Sequence, residues 1–200
     1  MKAIFSTLSI AALCALVSAA PTRVAKRSGA LVTSIPASRY HVIDQNHPNT
    51  DVSATFGSNT AVISRSDTTL DVDTLVNFEI PDLSTIPGAS ASSTCDFVVF
   101  NAASVSGSQT LQLFTLVSEV DLAGPVTFNT APSSNQYEGM YFIQEGATTS
   151  SIAVDVASFP CQFGTTMQFI MRPQNDNDFI TWTQGGAGAV PVGAFIEIRN

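Results

Sequence analysis

The sequence predicts an all-β protein: a two-layer antiparallel β-sandwich, jelly-roll or immunoglobulin-like, stapled by one disulfide. Three observations carry that prediction. About ten short runs of β-branched and aromatic residues alternate with Gly, Pro, Asn, Asp and Ser clusters. No amphipathic run at helical spacing reaches a useful length. Two cysteines remain once an N-terminal leader is set aside, an even pair suited to an oxidising compartment.

Residues 1–27 read as an address followed by a processing site. Lys2 supplies the positive start, and residues 4–17 form an apolar run too short and wrongly flanked to span a bilayer. Val17-Ser18-Ala19 offers small-residue cleavage, which defines a signal peptide over 1–19 ending at Ala19. Residues 20–27 then form a short propeptide ending in the dibasic pair Lys26-Arg27, so the mature chain is expected to begin at Ser28. Two basic residues on an ordinary linker are the plainer alternative. The expected location is secreted, either extracellular or in the cell wall.

Residues 28–38 are small and polar and contain Pro36, which reads as a mobile start or a loosely attached edge segment. Strands are expected at 40–44 and 61–65, and then over 70–80, where the periodicity is clearest. There Leu70, Val72, Val76, Phe78 and Ile80 fall on one face, while Asp71, Asp73, Asn77 and Glu79 fall on the other. Period two means one buried and one solvated face, as antiparallel sheets allow; Leu75 interrupts the polar face and Thr74 the apolar one. Pro81, Pro87-Gly88 and residues 90–94 form a loop leading into a strand at 95–100. Further strands are expected at 110–120, 126–129, 140–144, 152–157, 165–172, 179–183 and 194–199, separated by Gly and Pro. Residues 28–75 make a partly β N-terminal segment, and 76–200 a β-sandwich domain that forms one globular unit with part of 40–75.

Composition narrows the partners. Removing residues 1–27 takes four of the eight basic residues and none of the sixteen acids, leaving a lysine-free chain of formal charge −12. Such a surface repels phosphate backbones and anionic headgroups, which argues against nucleic acid and membrane surfaces and suits a polycation, a basic protein or Ca²⁺. Residues 193–200 read as a final strand and not as a lipid-anchor signal. Cys14 leaves with the leader, so Cys95 and Cys161 are expected to pair. Closing that loop removes roughly 4 kcal/mol of unfolded-state entropy.

Catalytic chemistry finds little support, and no catalytic residue is assigned. The histidines are His41 and His47, read as a strand side chain and a solvated turn residue, and there is no G-x-S-x-G elbow. A glycoside-type hydrolase needs two facing carboxylates, for which Glu79, Glu119, Glu138, Glu145 and Glu197 are the candidates. Asn175, Asp176, Asn177 and Asp178 pack hard oxygen ligands into one loop, a candidate Ca²⁺ site without the order or glycine of an EF-hand. Asp71 and Asp73 point to the same side of a strand. Carbohydrate stacking would fall to Tyr137 and Tyr141, which flank Gly139, or to Trp182, whose parity with Ile180 favours the core.

Four pieces of sequence, taken together, resemble a known family. They are Phe78-Glu79-Ile80-Pro81; residues 95–100 (CDFVVF); Phe159-Pro160-Cys161 followed by Gly164; and residues 191–196 (PVGAFI). In order and spacing over 76–200 they resemble the mostly fungal "ubiquitin 3 binding protein" C-terminal domain family. The resemblance implies a secreted or surface β-sandwich joined by a disulfide, with no catalytic residues to transfer. Its name implies a partner in ubiquitin-like conjugation. The secretory leader departs from that setting, so the partner is not carried over. The expected role is therefore a non-enzymatic extracellular or wall-associated structural or interaction protein, with wall polysaccharide or an extracellular protein as partner and no cofactor. The alternative is a carbohydrate- or calcium-dependent binding module, and after it a glycoside-type hydrolase.

Overall fold

The alternating run expected over 70–80 is the backbone of the fold. In a computed structural model describing residues 29–66, 68–146, 151–155, 158–175, 177–185 and 191–200, it forms β4 (Thr69–Glu79), the longest of the described strands. The leader with Ala19, Lys26 and Arg27, and Asp176 of the proposed cation loop, lie outside the described residues.

Two antiparallel sheets face each other. The smaller has the order β1 (Leu31–Pro36), β13 (Gly193–Arg199), β5 (Thr94–Phe100), β10 (Phe159–Pro160). The larger runs β6 (Ser104–Ser106), β12 (Asp178–Thr183), β3 (Thr60–Ser66), β4, β11 (Thr166–Pro173), β7 (Thr110–Leu116), β8 (Ser134–Phe142), β9 (Ile152–Asp155), with β2 (Arg39–Asp44) also on β4. Helix is confined to α1 (Ser53–Phe56) and one 3₁₀ turn (Leu83–Thr85) among the described residues. The N-terminal strands β2 and β3 thus share a sheet with the later ones. Of the two readings of the N-terminal segment, a mobile start or an edge segment, the structure realises the second: β1 is an edge strand, registered on β13 from Leu31↔Arg199 to Pro36↔Phe195.

At two corners, among the several crossings between layers, hydrogen bonds from adjoining residues reach both sheets. Between β1 and β2, Ala37 N–H bonds to Ala194 C=O (3.0 Å) in one sheet, and Ser38 N–H to Asn77 C=O (2.9 Å) in the other. Just before β9, Ser151 exchanges bonds with Val99 of β5 through its N–H (2.7 Å) and hydroxyl (2.9 Å). These corners curl the sheets around a core of inward residues. Phe78 meets Phe97 across the layers edge to face (6.2 Å) and Phe169 beside it (6.1 Å), while Phe97 meets Tyr141 (5.0 Å). Each such ring removed from water contributes about 1.5–3 kcal/mol.

Along β4 the large sheet forks. Val72 pairs with Asp44 of β2 and Ser64 of β3, whereas Thr74 pairs with Val42 of β2 and Met171 of β11. A strand has two edges and β2 occupies one of them, so β3 and β11 follow each other along the second. Where they part, the Thr74 hydroxyl accepts from Val62 N–H (3.0 Å) and donates to Val62 C=O (2.6 Å), standing in for ladder bonds. That explains a threonine on the apolar face.

The outer face of the large sheet corrects two expectations. Residues 117–120 and 126–129 are not strand; they belong to a long loop over 117–133 that lies across this face. Leu122 and Val126 of the loop cover Ile43, Leu75 and Ile170, forming a second apolar cluster. Leu75 therefore interrupts the polar pattern because its face is roofed and not solvated. Asp73 is likewise buried, with its Oδ2 3.1 Å from Arg172 Nε.

Cys95 and Cys161 form the expected disulfide, joining β5 to the residue after β10 with Cα atoms 5.1 Å apart.

Candidate functional site

A cluster of polar and ionisable side chains beside open space lies at the edge strand β2. Alternation sends Tyr40 inward and His41 outward, under the 117–133 loop, where His41 is buried. Its Nε2 is 2.8 Å from Val126 C=O and 3.2 Å from Asp51 Oδ1, and its Nδ1 is 3.4 Å from Leu122 C=O. One imidazole thereby ties the loop to the segment leading into α1. Asp51 is itself fixed, since its Oδ1 accepts from Ser53 N–H (2.9 Å) and the Ser53 hydroxyl (2.6 Å). Burial pushes the Asp51 carboxyl up, but these two bonds and the charge of His41 outweigh it and hold it below the ordinary carboxylate range. Beside the pair opens a recess of about 400 Å³, lined among others by Arg39, Asp51, Ser53, Ser58 and Pro125.

On the inner side of the same strand, Tyr40 OH donates to Gln184 Oε1 and accepts from Trp182 Nε1 (3.0 Å) and Ala194 N–H (3.1 Å). Burial drives the phenol well above its ordinary pKa and leaves it a neutral, fully used hydrogen-bonding centre.

The proposed carbohydrate residues divide. Trp182 is buried against Tyr40 (6.1 Å, edge to face), and Tyr141 is buried against Phe97, so neither presents a ring to a sugar; the expectation of an exposed Tyr141 is corrected. Tyr141 shares parity with the buried Ile143, a signal already in the sequence. Tyr137 is half-buried on the outer face and packs on Phe114 (5.4 Å).

The proposed cation loop is organised by Asp178. This carboxylate is 1% exposed and accepts from Ser108 N–H (2.7 Å), the Ser108 hydroxyl (2.7 Å), Gln109 N–H (3.2 Å) and Asn175 N–H (3.0 Å). Asn175 Nδ2 donates to the Ser108 hydroxyl (3.0 Å), and Asn177 takes the left-handed backbone conformation (φ 63°). Gly107 has φ 78°, and a Cβ there would strike the Asn177 carbonyl, so glycine is required where the two loops meet. Asp178 thus binds backbone, and among the described residues no three His, Cys, Asp or Glu gather as a metal set. Asp71 is held by Arg65, and Asp73 by Arg172.

The five glutamates occupy separate positions. Glu79, Glu119 and Glu145 are exposed on β4, in the 117–133 loop and after β8. Glu197 pairs with Arg199 (2.6 Å), and Glu138 is buried in a bulge of β8, where burial raises its carboxyl pKa. His47 is exposed and 2.7 Å from Asp44, the solvated turn residue expected.

Arg39, His41 and Asp51 were not singled out as a group by sequence reasoning. Their assembly depends on carbonyls more than eighty residues away from His41. The local signal was Asp51-x-Ser53, a side-chain-to-backbone turn pattern. Compared with known proteins, the chain matches no family model and none of the curated sequences.

Proposed function

We propose that this chain is a secreted, non-enzymatic β-sandwich that works outside the cell, at the wall or in the surrounding matrix, in a structural or binding role. The observation that carries the reading is the Cys95–Cys161 disulfide, because such bonds persist in oxidising compartments. The commitment of buried polar groups to architecture supports it: Asp178 organises loops, and Tyr40 joins β2, β12 and β13. The leader over residues 1–27 and the resemblance to the fungal "ubiquitin 3 binding protein" C-terminal domain family point the same way. A ubiquitin-type partner does not fit an oxidising compartment. A wall polysaccharide or an extracellular protein does.

Two measurements test the reading. The mass of the secreted protein, intact and after reduction, should correspond to a chain beginning at Ser28 with its two cysteines bonded; intracellular protein with two free thiols overturns it. Immobilised secreted protein should retain a wall polysaccharide or a component of the secreted proteome. Retention of neither removes the binding role.

A further inference from the structure

The geometry points to the recess beside His41 as a binding site for a hexuronate, a sugar ring bearing a carboxylate; this rests on the reading that the partner is a polysaccharide. Three of the arginines in the described residues sit on acids: Arg65 on Asp71, Arg172 on Asp73 (3.1 Å), and Arg199 on Asp96 (3.1 Å) and Glu197 (2.6 Å). For Arg39, no carboxylate among the described residues lies within ion-pair distance, and this arginine lines the recess. In a chain with sixteen acids and eight basic residues, an arginine left unmatched at a cavity is the group that takes a carboxylate from outside. Its planar fork matches a carboxylate by two parallel hydrogen bonds.

The remaining wall suits the sugar ring. Asp51 Oδ1 is taken up by Ser53 and His41, while Oδ2 has no protein donor among the described residues and is left to accept a ring hydroxyl. The exposed Ser58 hydroxyl adds a second polar group, and Pro125 an apolar edge for ring C–H groups. At about 400 Å³ the space falls within the range of roughly 300–1,000 Å³ typical of small-ligand sites. His41 holds the 117–133 wall through Val126 and Leu122, so little ordering is left for the ligand to impose. The acidity of the whole molecule is screened beyond about 8 Å at physiological salt, so the local charges decide.

The test titrates the full secreted chain with glucuronate, with glucose as the uncharged counterpart, and with oligogalacturonide, following backbone amide NMR signals and calorimetric heat. Glucuronate should shift the Gly57, Ser58 and Gly124 amides and bind at least about tenfold more tightly than glucose. Arg39→Gln should weaken it about tenfold with an unchanged melting temperature, and Arg39→Lys should restore part of the loss. Tighter binding of the oligomer than of the monosaccharide identifies a chain residue as the ligand, and the reverse identifies the free acid. Equal binding of glucose and glucuronate, absence of shifts at the recess, or an Arg39→Gln protein that binds as wild type overturns the site. Mapping on the wild-type chain decides even if the variant misfolds. Uronate binding without retention of any wall polysaccharide leaves the site standing and removes the wall role. Retention of wall polysaccharide undiminished by Arg39→Gln does the opposite.

Discussion

Replacing Asp178 with alanine strips acceptors from three backbone N–H groups and a hydroxyl at the junction of two loops. Hydrogen bonds to a charged acceptor are worth about 1.5–3 kcal/mol each, but they do not add when loops relax. The expected loss is about 3 kcal/mol in chemical denaturation, with Asp178→Asn losing about half as much. Tyr40→Phe leaves Trp182 Nε1 without its acceptor, and Ala194 N–H with Gln184 Oε1 alone (3.0 Å). The expected cost is about 1–3 kcal/mol, measured the same way. At this scale the sequence was partly readable. The parity of Trp182 with Ile180 placed it in the core, whereas the role of Asp178 could not be seen because all its donors but Asn175 N–H come from residues 108 and 109.

Among the elements, the disulfide and the 117–133 loop both hold strands from outside the ladders. Serine at both Cys95 and Cys161 frees a separation of 66 residues and should lower stability by about 2–5 kcal/mol, seen as an earlier denaturation midpoint. The loop acts locally. Leu122→Ala removes a buried side chain from the second apolar cluster and should cost about 2–3 kcal/mol, with amide exchange accelerating in residues 117–133 and little change in β5 and β13. Period two made β4 and the other inner strands legible, because one face of each packs on the core. It misled at Val126 and Phe128, which pack inward from an irregular segment. Apolar residues there roof a sheet, a job that leaves no regular spacing.

For the whole molecule the sharpest expectation concerns pH. Burial lifts the Asp73 carboxyl from 3.8 to about 7, with Asp71 assisting and Arg172 opposing. The folded state therefore holds a proton that the unfolded chain releases. This contribution to stability is fully present below about pH 4 and is lost as the pH rises through about 7. Glu138, raised by burial, acts in the same sense. Asp44 and Asp51 act oppositely. Burial raises both, but His47 and Asn46 around Asp44, and Ser53 and His41 around Asp51, hold them low, and their contribution is lost as acid protonates them. Denaturation midpoints should therefore rise on acidification from about pH 7 towards 4 and then fall, and Asp73→Asn should flatten the rise. The sandwich class was readable from strand spacing and absence of helix, but the fork was not. It appears only when β3 and β11 compete for one edge of β4. That competition has a consequence for a chain made from its N-terminus onward. β2 and β3 are complete when β4 emerges, but β11 begins about ninety residues later. Until then half of one edge of β4, with Val76 and Phe78, is without its ladder. The nascent protein must pass through a stage in which its central strand is open to any extended segment, and an interruption of synthesis there should yield an aggregating fragment and not a smaller fold.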